Sequence, residues 1–249
     1  MNLGTSRIRI ELERRVRKYG GLNMNTNTLN NKNIKLAIQK DGRLTDDTIR
    51  FLRRSGLEFA SYKQKLFSVC RNFPLEILYV RSTDIPYYVS SGVADLGIIG
   101  QNIIFEERPK TKELFNLQYG FCSLILAVPN DSAIQKLKDL SGKTIATKYP
   151  NSTKDFFIKN AISVNIVKIN GSVEIAPALG IADAIIDLTS TGRTLAINNL
   201  RILATLYKSQ ATLIANKKNL VNGRKLLLEK LIGRFASILS AKNYTYETY

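Results

Sequence analysis

The chain has 249 residues, enough for one large domain or two smaller ones, and at 44% hydrophobic and 23% charged it can bury a core. It has no histidine and two cysteines, Cys70 and Cys122, which excludes hydrolases built on a histidine base and leaves neither a disulfide framework nor a thiol metal cluster. The formal charge of +17 is spread along the chain without an aromatic-interleaved basic stripe, so small anionic ligands are expected rather than nucleic acid, and no apolar run reaches the about eighteen residues of a membrane span.

Residues 1–32 read unlike the rest. Arg7 to Lys18 is densely charged, Gly20-Gly21 follows, and Asn23 to Asn33 is polar. No apolar segment marks a secretory signal, and Glu11 and Glu13 argue against a transit peptide, so a cytoplasmic location is expected. This stretch is expected to be disordered or to precede a start at Met24.

Regular patterning begins at Ile34. Residues 34–38 predict a strand and Gln39 to Arg43 a loop; a helix capped by Thr45 or Asp46 then runs to about Ser55 and stops at Gly56. Strands are expected at 67–70 and 77–80, followed by a helix with Thr83-Asp84 at its cap and Pro86 in its first turn. Apolar strands follow at 96–100 and 124–128. Next come a short helix at 134–140, a strand at 143–147, a helix at 153–160 and a strand at 164–169. Gly171-Ser172 opens a helix over 173–179, and 184–188 is a buried strand before a helix at 194–198. Strands at 202–206 and 211–216 precede an amphipathic helix over 220–241, with Leu226, Leu227, Leu231, Ile232, Phe235, Ile238 and Leu239 on one side. Strands alternating with helices of about ten residues imply α/β layers with parallel sheets, in two blocks on either side of about Tyr119.

The segment Asp183-Ala-Ile-Ile-Asp-Leu-Thr-Ser-Thr-Gly-Arg-Thr194 carries the most chemistry. A buried strand ends in an acid, a turn rich in hydroxyls and glycine follows, and a helix begins. Backbone N–H groups at that helix start, with the hydroxyls of Thr189, Ser190, Thr191 and Thr194, form an anion cradle, and Gly192 allows close approach of the backbone. Arg193 either adds charge there or points to solvent. Asp187, at the strand end, is placed to accept hydrogen bonds from sugar hydroxyls beside a bound phosphate. Asp183 lies four residues earlier, roughly 13 Å along an extended strand, too far to share one sugar with Asp187. An ordinary helix-capping loop after a buried strand would show the same local pattern.

Several further segments occur in a fixed order. They are Ala37 to Leu44, Arg81-Ser-Thr-Asp-Ile-Pro86, Gly92 to Gly100, Leu140 to Thr147, Tyr149-Pro150 and Asn170-Gly-Ser-Val-Glu-Ile-Ala-Pro177. With the Asp183–Thr194 loop they span about residues 34–242, and in that order and spacing the chain resembles the ATP phosphoribosyltransferases, in the form related to the longer members.

The resemblance implies two α/β domains like those of periplasmic solute-binding proteins, with the active site in the cleft between them. Residues 33–122 plus 203–219 would form the first domain, 123–202 the second, and 220–249 a C-terminal helix and tail. It implies condensation of ATP with 5-phosphoribosyl 1-pyrophosphate, the first step of histidine biosynthesis. The Thr189–Thr194 loop, Arg193 included, would hold the 5-phosphate, with Asp187 at the ribose hydroxyls and Asp183 on the same strand. Lys40 and Arg43 would meet pyrophosphate or nucleotide phosphates, and Arg81 and Asp84 would line the nucleotide side. Glu174 is a ribose or magnesium-water candidate. Mg2+ would arrive with the pyrophosphate, with no metal site of the protein's own.

A homodimer is expected, with the possibility of a separate regulatory subunit in trans. The histidine-binding domain of the longer members has no counterpart before Tyr249, so insensitivity to histidine is expected. Where the family shows Gly-x-Cys-Arg or Gly-x-Cys-Lys, this chain has Gly120-Phe-Cys-Ser123, and a cation at the cleft is lost. A catalytically weakened member, or a binding-only module of the same build, is the competing reading.

Overall fold

The structure is a computed structural model that describes residues 33–60, 66–216 and 225–244. In chain order the elements are β1 (Ile34–Gln39), α1 (Thr45–Arg54), β2 (Phe67–Val69), β3 (Leu75–Val80), α2 (Ile85–Ser90), β4 (Leu96–Gly100), α3 (Gln101–Glu107), β5 (Lys112–Asn116) and β6 (Cys122–Pro129). They continue with β7 (Thr144–Thr147), α4 (Pro150–Lys159), β8 (Asn165–Lys168), β9 (Ala184–Thr189), α5 (Arg193–Ile197), β10 (Leu200–Ser209), β11 (Ala211–Ala215) and α6 (Lys225–Tyr244).

The strands form two mixed sheets. The first has the order β2-β3-β1-β4-β11-β5 and the second β10-β6-β9-β7-β8. Within the first, β1 lies parallel to β3 and β4, while β11 runs antiparallel to β4 and β5. Within the second, β7 lies parallel to β8 and β9, while β6 runs antiparallel to β9 and β10. Period-two alternation divides the apolar residues between the two faces of each sheet. In the first sheet Leu36, Ile38, Ile77 and Leu213 pack with Leu52 of α1 and with Leu231 and Phe235 of α6. Ala37, Ile99 and Ile214 face the other way, onto Ile85 and Val89 of α2 and Ile103 of α3. In the second sheet Leu124, Leu126, Ile145 and Ile186 pack on Phe157 of α4, while Ile125, Ala146 and Ile185 meet Val173 and Leu195. Covering both faces is why these strands read as continuous apolar runs.

The chain crosses between the sheets twice, around Gly120 and at Gln210. The Leu117 N–H donates to the Ala211 carbonyl at 2.8 Å and the Ala211 N–H to the Tyr119 carbonyl at 2.9 Å, so the two crossings are bonded together. Gly120 has φ +63°, and a Cβ there would stand 2.1 Å from Leu44 Cδ2, so only glycine fits this crossing.

Several sequence expectations are corrected. The strand expected at 202–206 extends over Leu200–Ser209 and stays in the second sheet, so the chain returns to the first sheet at Gln210 rather than at 203. Leu44, not Thr45 or Asp46, occupies the N-cap of α1, and no side chain caps that helix; the Thr45 hydroxyl instead donates to the Gln39 carbonyl. The helix expected over 173–179 is a single 3-10 turn, Val173–Ile175, and that over 134–140 is reduced to Leu137–Leu140. Leu226 is exposed rather than on the buried side of α6, where Leu228 takes its place. The sequence reading omitted α3 and β5. The amino-terminal stretch 1–32, the start of the last helix at Leu220 and the tail 245–249 lie outside the described residues.

Candidate active site

The strand β9 carries Ala184, Ile185 and Ile186 into the core and then Asp187 toward a cavity of about 490 Å³. Both neighbours explain that placement. Thr147 of β7 pairs with Ile186, so the next residues, Lys148 and Asp187, leave the ladder side by side. On the other flank Ile125 of β6 pairs with Asp187, and Ser123 lies opposite Thr189. The cavity thus sits at the carboxyl ends of the parallel strands β7 and β9, the usual place for a ligand in an α/β sheet.

Its lining includes Asp187, Thr189, Ser190, Thr191, Arg193 and Thr194 from the loop, with Glu174 and Ser172 across from them and Lys148 at one side. The loop is held by its own hydroxyls. The Gly192 N–H donates to Thr189 Oγ1 at 2.9 Å, and the Arg193 N–H to Thr191 Oγ1 at 3.4 Å. Gly192 has φ +75°, and a Cβ there would meet nothing, so its backbone conformation rather than space calls for glycine. Because α5 has only five residues, polar groups of the loop, more than a helix dipole, must make up an anion cradle.

Asp187 is half-buried, and its Oδ1 accepts the Leu188 N–H at 2.8 Å. Burial pushes its carboxyl above the usual aspartate range, opposed by that N–H and by the Lys148 cation, with the Glu174 carboxylate adding a further upward push. Glu174 faces the same space as Asp187, from a three-residue turn and not from the helix the sequence predicts.

Asp183 stands apart from the cavity. Its carboxylate accepts the Thr144 N–H at 2.8 Å and meets Lys143 Nζ at 3.3 Å, tying β9 to β7 at the opposite end. The Thr144 N–H, before the Lys143 contact, holds its carboxyl below the usual range. A strand end that needs its hydrogen bond closed explains this aspartate without a ligand.

The remaining predicted residues gather on the first sheet. Lys40 follows β1 and Arg81 follows β3, whose last residues Gln39 and Val80 are partners in the ladder. The Lys40 N–H donates to the Val80 carbonyl at 2.8 Å. Asp84, exposed at the N-cap of α2, accepts the Thr83 hydroxyl at 3.3 Å. Arg43 reaches the crossing, where its guanidinium donates to the Gly120 carbonyl. Tyr149, next to Lys148, lies within electrostatic reach of both groups of residues. Burial raises its phenol, the charge of Asp187 raises it further, and the Arg43 cation lowers it.

Lys148 is the residue that sequence reasoning missed. It follows a strand and precedes a helix, but only the β7–β9 pairing sets it beside Asp187. Ser123, where a cation is expected by resemblance, is flanked on its strand neighbours by Thr189 and Lys208. Opposed residues in an antiparallel ladder share a face, so Lys208 brings a charge to the same row.

This arrangement can accept sugar hydroxyls at Asp187, hold a phosphate in the loop and present cations from both sheets. Comparisons with known proteins point to the same chemistry. The family model described as HisG, ATP phosphoribosyltransferase, matches residues 81–237. An ATP phosphoribosyltransferase of Cytophaga hutchinsonii is 41% identical over 213 residues, covering 86% of this chain and 74% of that protein. The ATP phosphoribosyl transferase (HisG:HisZ) complex from Thermotoga maritima matches with a TM-score of 0.72 at 28% identity, over 84% of this chain and 98% of that one. The alkanesulfonate-binding protein SsuA from Xanthomonas axonopodis pv. citri matches with a TM-score of 0.54 at 15% identity, over 82% of this chain and 72% of that one, a likeness of fold alone.

Proposed function

Because the chain belongs to the ATP phosphoribosyltransferase family, we propose that the cavity around Asp187 is where phosphoribosyl pyrophosphate binds for its reaction with ATP. The activity is the condensation of ATP with 5-phosphoribosyl 1-pyrophosphate to phosphoribosyl-ATP and pyrophosphate, the first step of histidine biosynthesis. In this reading N1 of the adenine forms a bond to C1 of the ribose as the bond from C1 to the pyrophosphate oxygen breaks. Charge develops on an oxocarbenium-like carbon and on the departing pyrophosphate, so positioning and charge neutralisation do most of the catalysis. A chain without histidine can run such a step, since no strong base is needed.

Thr189, Ser190, Thr191, Gly192 and Thr194 hold the 5-phosphate, with Arg193 at the mouth. Asp187 accepts the ribose hydroxyls, with Glu174 across the cavity. Lys148, beside Asp187, joins Lys40 and Arg43 in receiving the pyrophosphate as it departs, and Arg81 and Asp84 flank the nucleotide. The two sheets act as two domains whose facing loops bring the substrates together.

Among the described residues no three carboxylate or cysteine side chains converge as a protein-built metal site requires; Asp187 and Glu174 are the acids of the cavity. That donor set fits Mg2+ bound mainly by substrate oxygens and water. When bound, the ion offsets the charge that leaves with pyrophosphate.

The same reading includes a homodimer in the cytoplasm and, from the likeness to the HisG:HisZ complex, a regulatory subunit of the HisZ kind acting in trans. Among the described residues no helix is long and apolar enough to cross a membrane.

The observation that carries the site assignment is the half-buried Asp187 between Lys148 and a hydroxyl-lined loop. Calorimetric titration of Asp187→Ala with phosphoribosyl pyrophosphate tests it. A charge-assisted hydrogen bond contributes about 1.5–3 kcal/mol, so affinity should fall roughly ten- to hundredfold with the fold intact. Unchanged affinity removes Asp187 from the site.

A further inference from the structure

The helix α4 begins immediately after Lys148 and Tyr149, and its sequence gives it no cap of its own. Tyr149 occupies the N-cap without a side-chain hydrogen bond, and Pro150 at the first helical position has no N–H. The donors that follow are satisfied from another element. Glu106 Oε1 accepts the Asn151 N–H at 2.9 Å, and Oε2 accepts both the Ser152 N–H and the Ser152 hydroxyl at 2.9 Å. The Asn151 side-chain amide closes the ring by donating to the Glu106 carbonyl at 3.0 Å. Glu106 belongs to α3, on the first sheet, while α4 packs on the second.

The other end of α3 is fixed with equal care. The Gln101 N–H donates to the Gln210 carbonyl at 2.9 Å and the Asn102 N–H to Ser209 Oγ at 3.0 Å, both at the crossing of the chain. Beside Glu106, the Phe105 ring meets Tyr207 edge-on at 4.7 Å, Tyr207 OH lies 3.2 Å from the Ser152 hydroxyl, and Arg108 pairs with Asp155. Thus α3 is a strut from the crossing to the start of α4.

We propose that Glu106 is a positioning residue for phosphoribosyl transfer: by capping α4 from the opposite sheet, it fixes Lys148 and Tyr149 relative to the Arg43 loop. This rests on the site assignment above. Stability of α4 alone would need only a serine or aspartate at position 149. A cap brought from the other sheet instead makes any change in the spacing of the sheets break hydrogen bonds to the carboxylate of a glutamate that is only 5% exposed. Arg43 sits at the base of the same strut, with Nη2 3.5 Å from where a Cβ on Gly100 would stand. The two groups of cations assigned to the pyrophosphate, Arg43 on one side and Lys148 on the other, are therefore held at one separation by α3. Phosphoribosyl pyrophosphate is anchored through its ribose and 5-phosphate by Asp187 and the Thr189–Thr194 loop of the second sheet, so its ground-state affinity should depend mainly on that sheet. The cations of both sheets meet the pyrophosphate as it departs, so the transfer step should depend on their separation.

The test compares Glu106→Ala and Glu106→Gln with the unaltered chain, measuring thermal midpoint, phosphoribosyl pyrophosphate affinity by calorimetry, and kcat and KM at a temperature well below the midpoint. A small misplacement of reacting groups costs roughly ten- to hundredfold in rate, so kcat of Glu106→Ala should fall by that factor. Its phosphoribosyl pyrophosphate affinity should stay within about twofold. Glu106→Gln, which keeps one acceptor oxygen, should fall between. An unchanged kcat alongside a lowered midpoint would show a merely structural cap and overturn the proposal, as would loss of phosphoribosyl pyrophosphate affinity in step with kcat. If Glu106→Ala fails to fold, Ser152→Ala removes one of the bonds and carries the test: a lowered kcat at unchanged affinity supports the strut, and an unchanged kcat overturns it. Asp187→Ala, run in parallel, separates this proposal from the site assignment, because only that variant tests whether the substrate sits at Asp187.

Discussion

Asp187 and Asp183 share a strand, four residues apart, yet the chain treats them oppositely. Asp183 is pulled below the usual range by the Thr144 N–H and then by Lys143, while burial lifts Asp187 above it. The carboxylate form of Asp187 is the one that accepts sugar hydroxyls, so affinity is lost as pH falls through its raised pKa. The acid limb of kcat/KM for phosphoribosyl pyrophosphate should therefore lie above the ordinary aspartate value and vanish in Asp187→Asn, as a pH–rate profile would show. The effect on stability has the opposite sense. A raised pKa contributes stability below the unfolded value that is lost as pH rises through the folded one, so Asp187→Asn should not lower the thermal midpoint at neutral pH. At this scale the strand end that carries Asp187 and the turn after it were legible in the sequence, because an apolar run ends there in an acid before hydroxyls and glycine. Lys148 was not, because its place depends on β7 lying beside β9. Glu106 was hidden for a like reason: it caps a helix that begins more than forty residues further along the chain.

At the scale of elements, strands with apolar residues on both faces announced themselves, as did the short helices α2 and α5 behind their start signals, but α3 did not. The seven-residue α3 has Gly100 at its cap and no side-chain hydrogen bond there, so none of the usual start signals is present. β5, with Lys112, Glu113 and Asn116 on a sheet edge, has the polar composition of a loop. The helix expected over 173–179 from its Gly171-Ser172 start is one turn, because Pro177 lacks the N–H that would continue it. The phosphate loop provides the sharpest test at this level. Gly192→Ala puts a methyl group into open space yet forces a side chain into the left-handed region, at a cost of about 1–2 kcal/mol. The fold should survive, and phosphoribosyl pyrophosphate affinity should drop roughly five- to thirtyfold, as measured by calorimetry. Wild-type affinity in that variant would mean that the loop need not hold this conformation to bind.

For the whole molecule, alternating strands and helices revealed two α/β blocks, and motifs in register revealed the family. Strand order was beyond the sequence, since β11 inserts between β4 and β5 only after the chain has built the second sheet and crossed back at Gln210. That return pairs the two crossings, and α3 adds a side-chain link between the sheets, so the cleft depends on contacts far apart in sequence. Likeness to SsuA extends to this architecture, and a solute receptor needs no more than binding. A transferase must in addition bring two substrates together and release product. The measurement that decides between them is the ultraviolet absorbance of phosphoribosyl-ATP, followed as the purified chain is mixed with ATP, phosphoribosyl pyrophosphate and Mg2+. Absorbance that grows over many turnovers, and does so far more slowly with Asp187→Ala at the same substrate concentrations, is the predicted result. Tight binding of phosphoribosyl pyrophosphate with no product formed, or equal rates from the two proteins, would contradict it.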